Sequence, residues 1–129
     1  MLHDFDIFYG AGQAILSGQS PYADSNFFYP PAAAYFFAIW AVLPYPVAAG
    51  LWLAASAGVL IGVTRRGAWL WFLFPPVFAN FVSGQMDIFI LGLWALVGRG
   101  SALALALMTL KPQLALLVVP WTLWAWRRE

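Results

Sequence analysis

From Pro31 onward the chain is apolar and interrupted mainly by prolines and glycines, with charge confined to Arg65, Arg66, Asp87, Arg99, Lys111, Arg127, Arg128 and Glu129. A stretch of this kind restricts the choice of solvent before it restricts the fold. Of the 129 residues, 64% are hydrophobic and 9% charged, against roughly half and roughly a quarter in an ordinary soluble domain. A body of this size cannot bury that much apolar surface by itself, so lipid is the expected solvent. The mean hydropathy of +0.80 agrees.

Several function classes drop out on composition. A formal net charge of +1 leaves no basic patch for nucleic acid. Without cysteine there is no disulfide, no thiolate chemistry and no Cys-based zinc or iron–sulfur site. A single His cannot build a multi-His metal site, and neither a phosphate-binding glycine loop nor HExxH is present. No secretory signal is readable, because the first thirty residues are the most polar stretch.

Two regions follow. Residues 1–31 carry Asp4, Asp6, Asp24, His3 and the turn Gly18-Gln19-Ser20-Pro21, and read as a polar external segment made of a helix and a loop. Phe5, Phe8, Tyr9, Gly12, Ile15 and Leu16 recur at spacings of three and four. That pattern predicts an amphipathic helix over 5–17, ended by Gly18 and short enough to lie along a membrane surface. Residues 32–129 read as a transmembrane helical region, part of a larger membrane domain. Prolines and glycines divide it into six apolar pieces, at 32–43, 46–64, 67–82, 87–98, 101–111 and 113–126.

A helix needs about 20 residues to cross the hydrocarbon core, and only 46–64 comes close alone. The other pieces must pair as re-entrant hairpins or join across kinks. The breaks at Pro75-Pro76, Gly84 and Lys111-Pro112 must then be buried in protein or line a cavity, since lipid cannot satisfy free backbone groups. Such breaks either mark a site or are simple proline kinks between packed helices. The predicted class is all-α and multi-pass, with several short or broken helices. Topology has two readings: the arginine clusters favour a cytoplasmic Arg65-Arg66, whereas a hairpin at Leu43-Pro44-Tyr45-Pro46 returns the chain to the side of the polar segment. The hairpin carries more weight, because only two arginines oppose it.

A short set of residues could carry chemistry. Asp4 or Asp6 could act as a general base beside a cavity, or both could decorate a helix N-terminus; two residues apart, they face different ways. Asp87 and Lys111 are ionisable groups within apolar segments, which are costly enough to point to function. Lys111 could meet a lipid phosphate, snorkel to the surface or pair with Asp87. Asn80 and the Ser83-Gly84-Gln85 turn offer hydrogen-bonding groups suited to sugar hydroxyls, or to helix capping. Tyr9, Tyr22 and Tyr29 could stack on a sugar ring.

The order of motifs carries more information. Asp4-Phe5-Asp6-Ile7-Phe8-Tyr9, Gly18-Gln19-Ser20-Pro21-Tyr22, Phe28-Tyr29-Pro30-Pro31, Leu43-Pro44, Leu51-Trp52, Pro76 through Asn80 to Gly84-Gln85, and Leu110-Lys111-Pro112 together resemble glycosyltransferase family 87. The resemblance implies a multi-pass bacterial enzyme of the GT-C fold, similar to polyprenyl-phosphate-mannose-dependent mannosyltransferases. It implies a location in the bacterial inner membrane, with the active site on the non-cytoplasmic face. The expected partners are a polyprenyl phosphate sugar donor, a lipid or glycan acceptor, membrane lipids and the remaining helices of a longer chain. No cofactor or metal is implied, the lipid-linked sugar being a substrate.

By the same resemblance Asp4 is the catalytic base, with Asp6 the alternative. Asp6, Tyr9, Tyr29, Asn80, Gln85, Asp87 and Lys111 are the candidate substrate-binding residues. Asp87 stands where the family pattern has Asn after the Gly-Gln turn. Family members are longer, with a transmembrane helix before the Asp motif, so the chain resembles their N-terminal third. A different function class suits the apolar segments equally well: a small non-enzymatic multi-pass protein, acting as an assembly subunit or as a carrier of lipid or solute.

Overall fold

Several of the helix boundaries that position the site are set by a proline at a start or a glycine at an end. In the computed structural model, which describes residues 2–23 and 26–128, the first helix is α1 (His3–Leu16). Asp24 and Glu129, and the side chain of Arg66, lie outside the described residues. Helix α1 starts before the expected residue 5 and ends with Gly18 at φ +71°. There the Gly18 N–H donates to Ile15 and the Gln19 N–H to Ala14. This pair of bonds closes a helix end around a left-handed residue, a conformation glycine adopts without cost.

The apolar face of α1 meets α2 (Pro31–Ala41) and is not left open to a lipid surface. Phe8 stacks on Phe37 with ring centroids 4.5 Å apart. At Gly12 the helices approach so closely that a Cβ would stand 2.5 Å from the Phe37 carbonyl oxygen. Phe5, Phe8, Tyr9, Phe27, Ala33, Ala34, Phe37, Ala48 and Trp52 form one buried core. The composition changes at Pro31, and the core runs across that boundary.

Pro30 and Pro31 begin α2, and Pro44 caps α3 (Tyr45–Thr64) with Pro46 in its first turn. At 20 residues and mean hydropathy 1.9, α3 is about 30 Å long, matching the hydrocarbon core. Among the described residues it is the one helix that could cross a membrane unaided. Its buried Ser56 donates to the Trp52 carbonyl at 2.9 Å, and Thr64 donates to Leu60 at 2.7 Å. Both hydroxyls are thereby satisfied within the helix.

A 3-10 turn (Arg65–Gly67) leads to α4 (Ala68–Trp71), α5 (Pro75–Ser83), α6 (Asp87–Val97), α7 (Ala102–Met108) and α8 (Pro112–Trp126). The expected piece 67–82 is therefore two helices. Phe74 is extended, as a residue before proline prefers, and this splits α4 from α5. Helices α5 and α6 meet at 118°, a broken span or a re-entrant loop. Ile90, Val97, Ala104, Leu105 and Met108 form a second core between α6 and α7, with Val118, Val119 and Trp126 of α8 packed against it. Trp69, Trp71, Phe72, Phe74 and Phe78 remain exposed, and an outward aromatic surface of this size is at home in lipid or against further helices. The architecture is all-α, with one candidate span, or two if the bent pair counts as one.

Candidate functional site

The corner between α5 and α6 is built from three devices. Gly84 takes φ +74°, and its N–H and that of Gln85 both donate to the Asn80 carbonyl. The Asn80 side chain, oriented to satisfy both its ends, donates to the Gln85 carbonyl at 3.1 Å and accepts from the Asp87 N–H at 3.2 Å. Asn80 therefore bridges the end of one helix and the start of the next, and at 5% exposure its amide is fully engaged there. The third device is Trp52, whose indole N–H donates to the Gly84 carbonyl at 2.9 Å from inside α3. Phe89 lies against the same indole, with ring centroids 4.4 Å apart.

The corner fixes Gln85 and Asp87, and Lys111 reaches them from the break before α8. Its ammonium donates to Gln85 Oε1 at 3.3 Å and forms an ion pair with Asp87 Oδ1. The Lys111 side chain is 11% exposed and that of Asp87 48% exposed. The cation is thus sheltered while its counter-ion faces outward, so an incoming anion can compete with Asp87 on its open side. Of the three expectations for Lys111, the pairing with Asp87 is the one observed.

The N-terminal segment closes the other side. A Cβ on Gly84 would stand 2.7 Å from the Phe5 Cβ and 3.1 Å from the Leu2 Cβ, so the first turn of α1 sits directly on the corner. Tyr29, half-buried in the loop before α2, packs edge-on against Phe8 at 5.0 Å. Burial raises the Tyr29 hydroxyl above its ordinary pKa, the negative charges of Asp87 and then Asp4 push in the same direction, and a hydrogen bond with Gln85 opposes them. Tyr29 therefore senses both carboxylates. Tyr29, Gln85, Asp87 and Lys111, drawn from the loop before α2, the corner and the break before α8, meet at one locus, and Asp4 lies on the first turn of α1 that packs on the same corner.

Asp6 and Tyr9 belong elsewhere. Tyr45 donates its hydroxyl to Asp6, and Tyr9 donates to the Leu43 carbonyl at 2.7 Å. The two bonds tie α1 to the hairpin that starts α3. Asp4 and Asp6 face different ways, as their spacing requires. Tyr22, which is exposed, donates to the Tyr29 carbonyl at 2.9 Å and holds the loop. The residue that sequence reasoning missed is Trp52. A signal existed: an indole N–H in the middle of an apolar helix needs an acceptor, and an irregular turn is where spare carbonyls occur.

A helical protein of membrane composition, with a polar cluster at a broken-helix corner, fits the class of integral membrane enzymes. The family model of glycosyltransferase family 87 matches residues 27–129, and the chain belongs to that family. It is accordingly a glycosyltransferase, with a sugar donor and an acceptor as substrates. The matched range includes Tyr29, Asn80, Gln85, Asp87 and Lys111; Asp4, Asp6 and Tyr9 precede it. Neither the curated proteins nor the solved structures searched contain a match to the chain.

Proposed function

We propose that this chain carries the acid–base and phosphate-contacting part of a glycosyltransferase that moves a hexose, mannose by the family resemblance, from a polyprenyl phosphate to a lipid or glycan acceptor. The observation that supports this most is the sheltered cation Lys111, held by Gln85 and Asp87, with Asp4 on the turn of α1 that packs on the same corner. Sugar transfer from a phosphate donor requires both. A base must take the proton of the acceptor hydroxyl as it attacks the anomeric carbon, and a cation must stabilise the phosphate that leaves.

In this reading Asp4 takes the acceptor proton. The C–O bond to the donor phosphate breaks as the new glycosidic bond forms, so a single displacement inverts the anomeric centre. Lys111 shifts from Asp87 toward the leaving phosphate, and Gln85 and Tyr29 present hydrogen-bonding groups to the sugar. Asn80 acts from behind by fixing the corner. The active face is the non-cytoplasmic one, in the bacterial inner membrane, and any helices beyond this sequence complete the donor site.

The test is sugar transfer from a radiolabelled polyprenyl phosphate donor by membranes containing the chain. Asp4→Asn is expected to lower turnover by about 100-fold or more at equal protein level, the scale of a lost general base. Wild-type turnover in that variant would remove Asp4 from the mechanism.

A further inference from the structure

The far end of α6 from this cluster carries a second constellation. A groove of about 560 Å³ runs between α3 and α6, walled by apolar side chains such as Trp52, Val59, Phe89 and Leu93. Its charged lining is Arg65 and Arg99, both exposed and neither in an ion pair among the described residues. Arg99 also borders an adjoining cavity of about 510 Å³, where Trp94, Trp121 and Trp126 gather around Thr122. Thr122 is 3% exposed, and its buried hydroxyl has no hydrogen-bond partner among the described residues. Arg65 holds φ +55° and ψ −126°, outside the regions open to ordinary side chains. Such strain persists where the surroundings impose it and is common at binding sites.

Each part matches one part of a membrane lipid. From Trp52 to Arg65, α3 rises about 20 Å, enough for an acyl chain within one leaflet of a hydrocarbon core about 30 Å thick. Among the described residues no carboxylate lines either cavity, so the arginines select an anion, and guanidinium groups bind phosphate in a fixed fork. Tryptophans beside arginine are characteristic of the headgroup level.

We propose that this chain binds one anionic glycerophospholipid. Its acyl chain lies in the α3–α6 groove and its phosphate between Arg65 and Arg99, beside the tryptophan cavity. The site is distinct from the Lys111 cluster, because Arg99 follows the C-terminal end of α6 and Asp87 opens its N-terminal end. It does not depend on Asp4 or on the transfer reaction.

The experiment is native mass spectrometry of the full chain released from nanodiscs of mixed phosphatidylglycerol and phosphatidylcholine, with thermal unfolding in each pure lipid alongside. One phosphatidylglycerol is expected to be retained per chain, preferred over phosphatidylcholine by about tenfold, the scale of a charge-assisted contact. Arg99→Gln abolishes the preference. Lys111→Ala leaves the preference unchanged. Equal retention of the two lipids by the wild type overturns the proposal, as does an Arg99→Gln protein that keeps its preference. Loss of the preference in Lys111→Ala also overturns it, since the groove would then serve the Lys111 cluster. If Arg99→Gln fails to fold, Arg65→Gly serves instead: it relieves the strained backbone, so it is expected to unfold later in pure phosphatidylcholine while gaining less from phosphatidylglycerol.

Discussion

Lys111 and Asp87, separated by 24 positions in sequence, form an ion pair in which the cation is sheltered and the carboxylate is half exposed. The pair joins the start of α6 to the break before α8, with Gln85 as a third member. Its value to the fold is small, because a partly solvated pair contributes about 1 kcal/mol or less. In the proposed transfer reaction it keeps a cation available beside the corner.

Two substitutions separate these roles. Lys111→Ala is expected to change thermal stability little and to weaken binding of the polyprenyl phosphate donor by about tenfold. Asp87→Asn removes the competitor for the ammonium and is expected to tighten donor binding by about fivefold, the equivalent of about 1 kcal/mol. Donor titration of the two variants checks both; a shift in the same direction for each would contradict the competition.

Gly84→Ala is expected to cost about 2–4 kcal/mol, combining a forbidden φ with a Cβ driven against Phe5. Gly12→Ala presses on the Phe37 backbone in the same way and is expected to loosen α1 from α2. Gly10→Ala is the control, with open space around it, and unfolding midpoints of the three variants should rank accordingly.

Trp52→Phe keeps most of the aromatic packing and removes one N–H. The Gly84 carbonyl then loses its partner, at a cost of about 1–3 kcal/mol. Hydrogen exchange at residues 84–87 is expected to accelerate more than exchange elsewhere in α6. Uniform acceleration would mean the indole supports only the core.

Tyr29 supplies a pH signature. Its pKa is raised above 10.0 in the folded chain, so its contribution to stability is complete below pH 10.0 and is lost as pH rises through the higher folded value. Ionised Tyr29 would be a half-buried anion next to Asp87 and Asp4. Tyr29→Phe is expected to flatten the alkaline fall in stability. Asp4→Asn should lower the tyrosinate midpoint read by ultraviolet absorbance, and an unchanged midpoint would show that Asp4 points away.

Much of the scaffold was legible in particular residues. Pro31, Pro46, Pro75 and Pro112 each stand in the first turn of a helix, Gly18 follows the end of α1, and Gly84 ends the helix that Pro75 begins. The split at Pro75 within the expected piece 67–82 was less so, because helical spacing on both sides looks continuous until the residue before proline is forced into extended backbone. For the site, chemistry suggested Asp4, Tyr29, Gln85, Asp87 and Lys111 together with Asp6, Tyr9 and Asn80. Nothing in residue type distinguishes a carboxylate or amide that faces a cavity from one that braces a turn.

The sequence by itself determined an all-α chain of membrane composition, its helix starts and stops, and its family, because solvent preference and backbone chemistry act locally. Only the tertiary structure decided that Asn80 closes the corner, that Asp6 is held by Tyr45, and that Lys111 meets Asp87 beside Tyr29. The last two depend on contacts between residues 39 and 24 positions apart, and the first on how α5 and α6 bend about their break. The crossing of α1 over α2 at Gly12 and the anchoring of Gly84 by Trp52 make them, and no local pattern encodes where two helices come to rest.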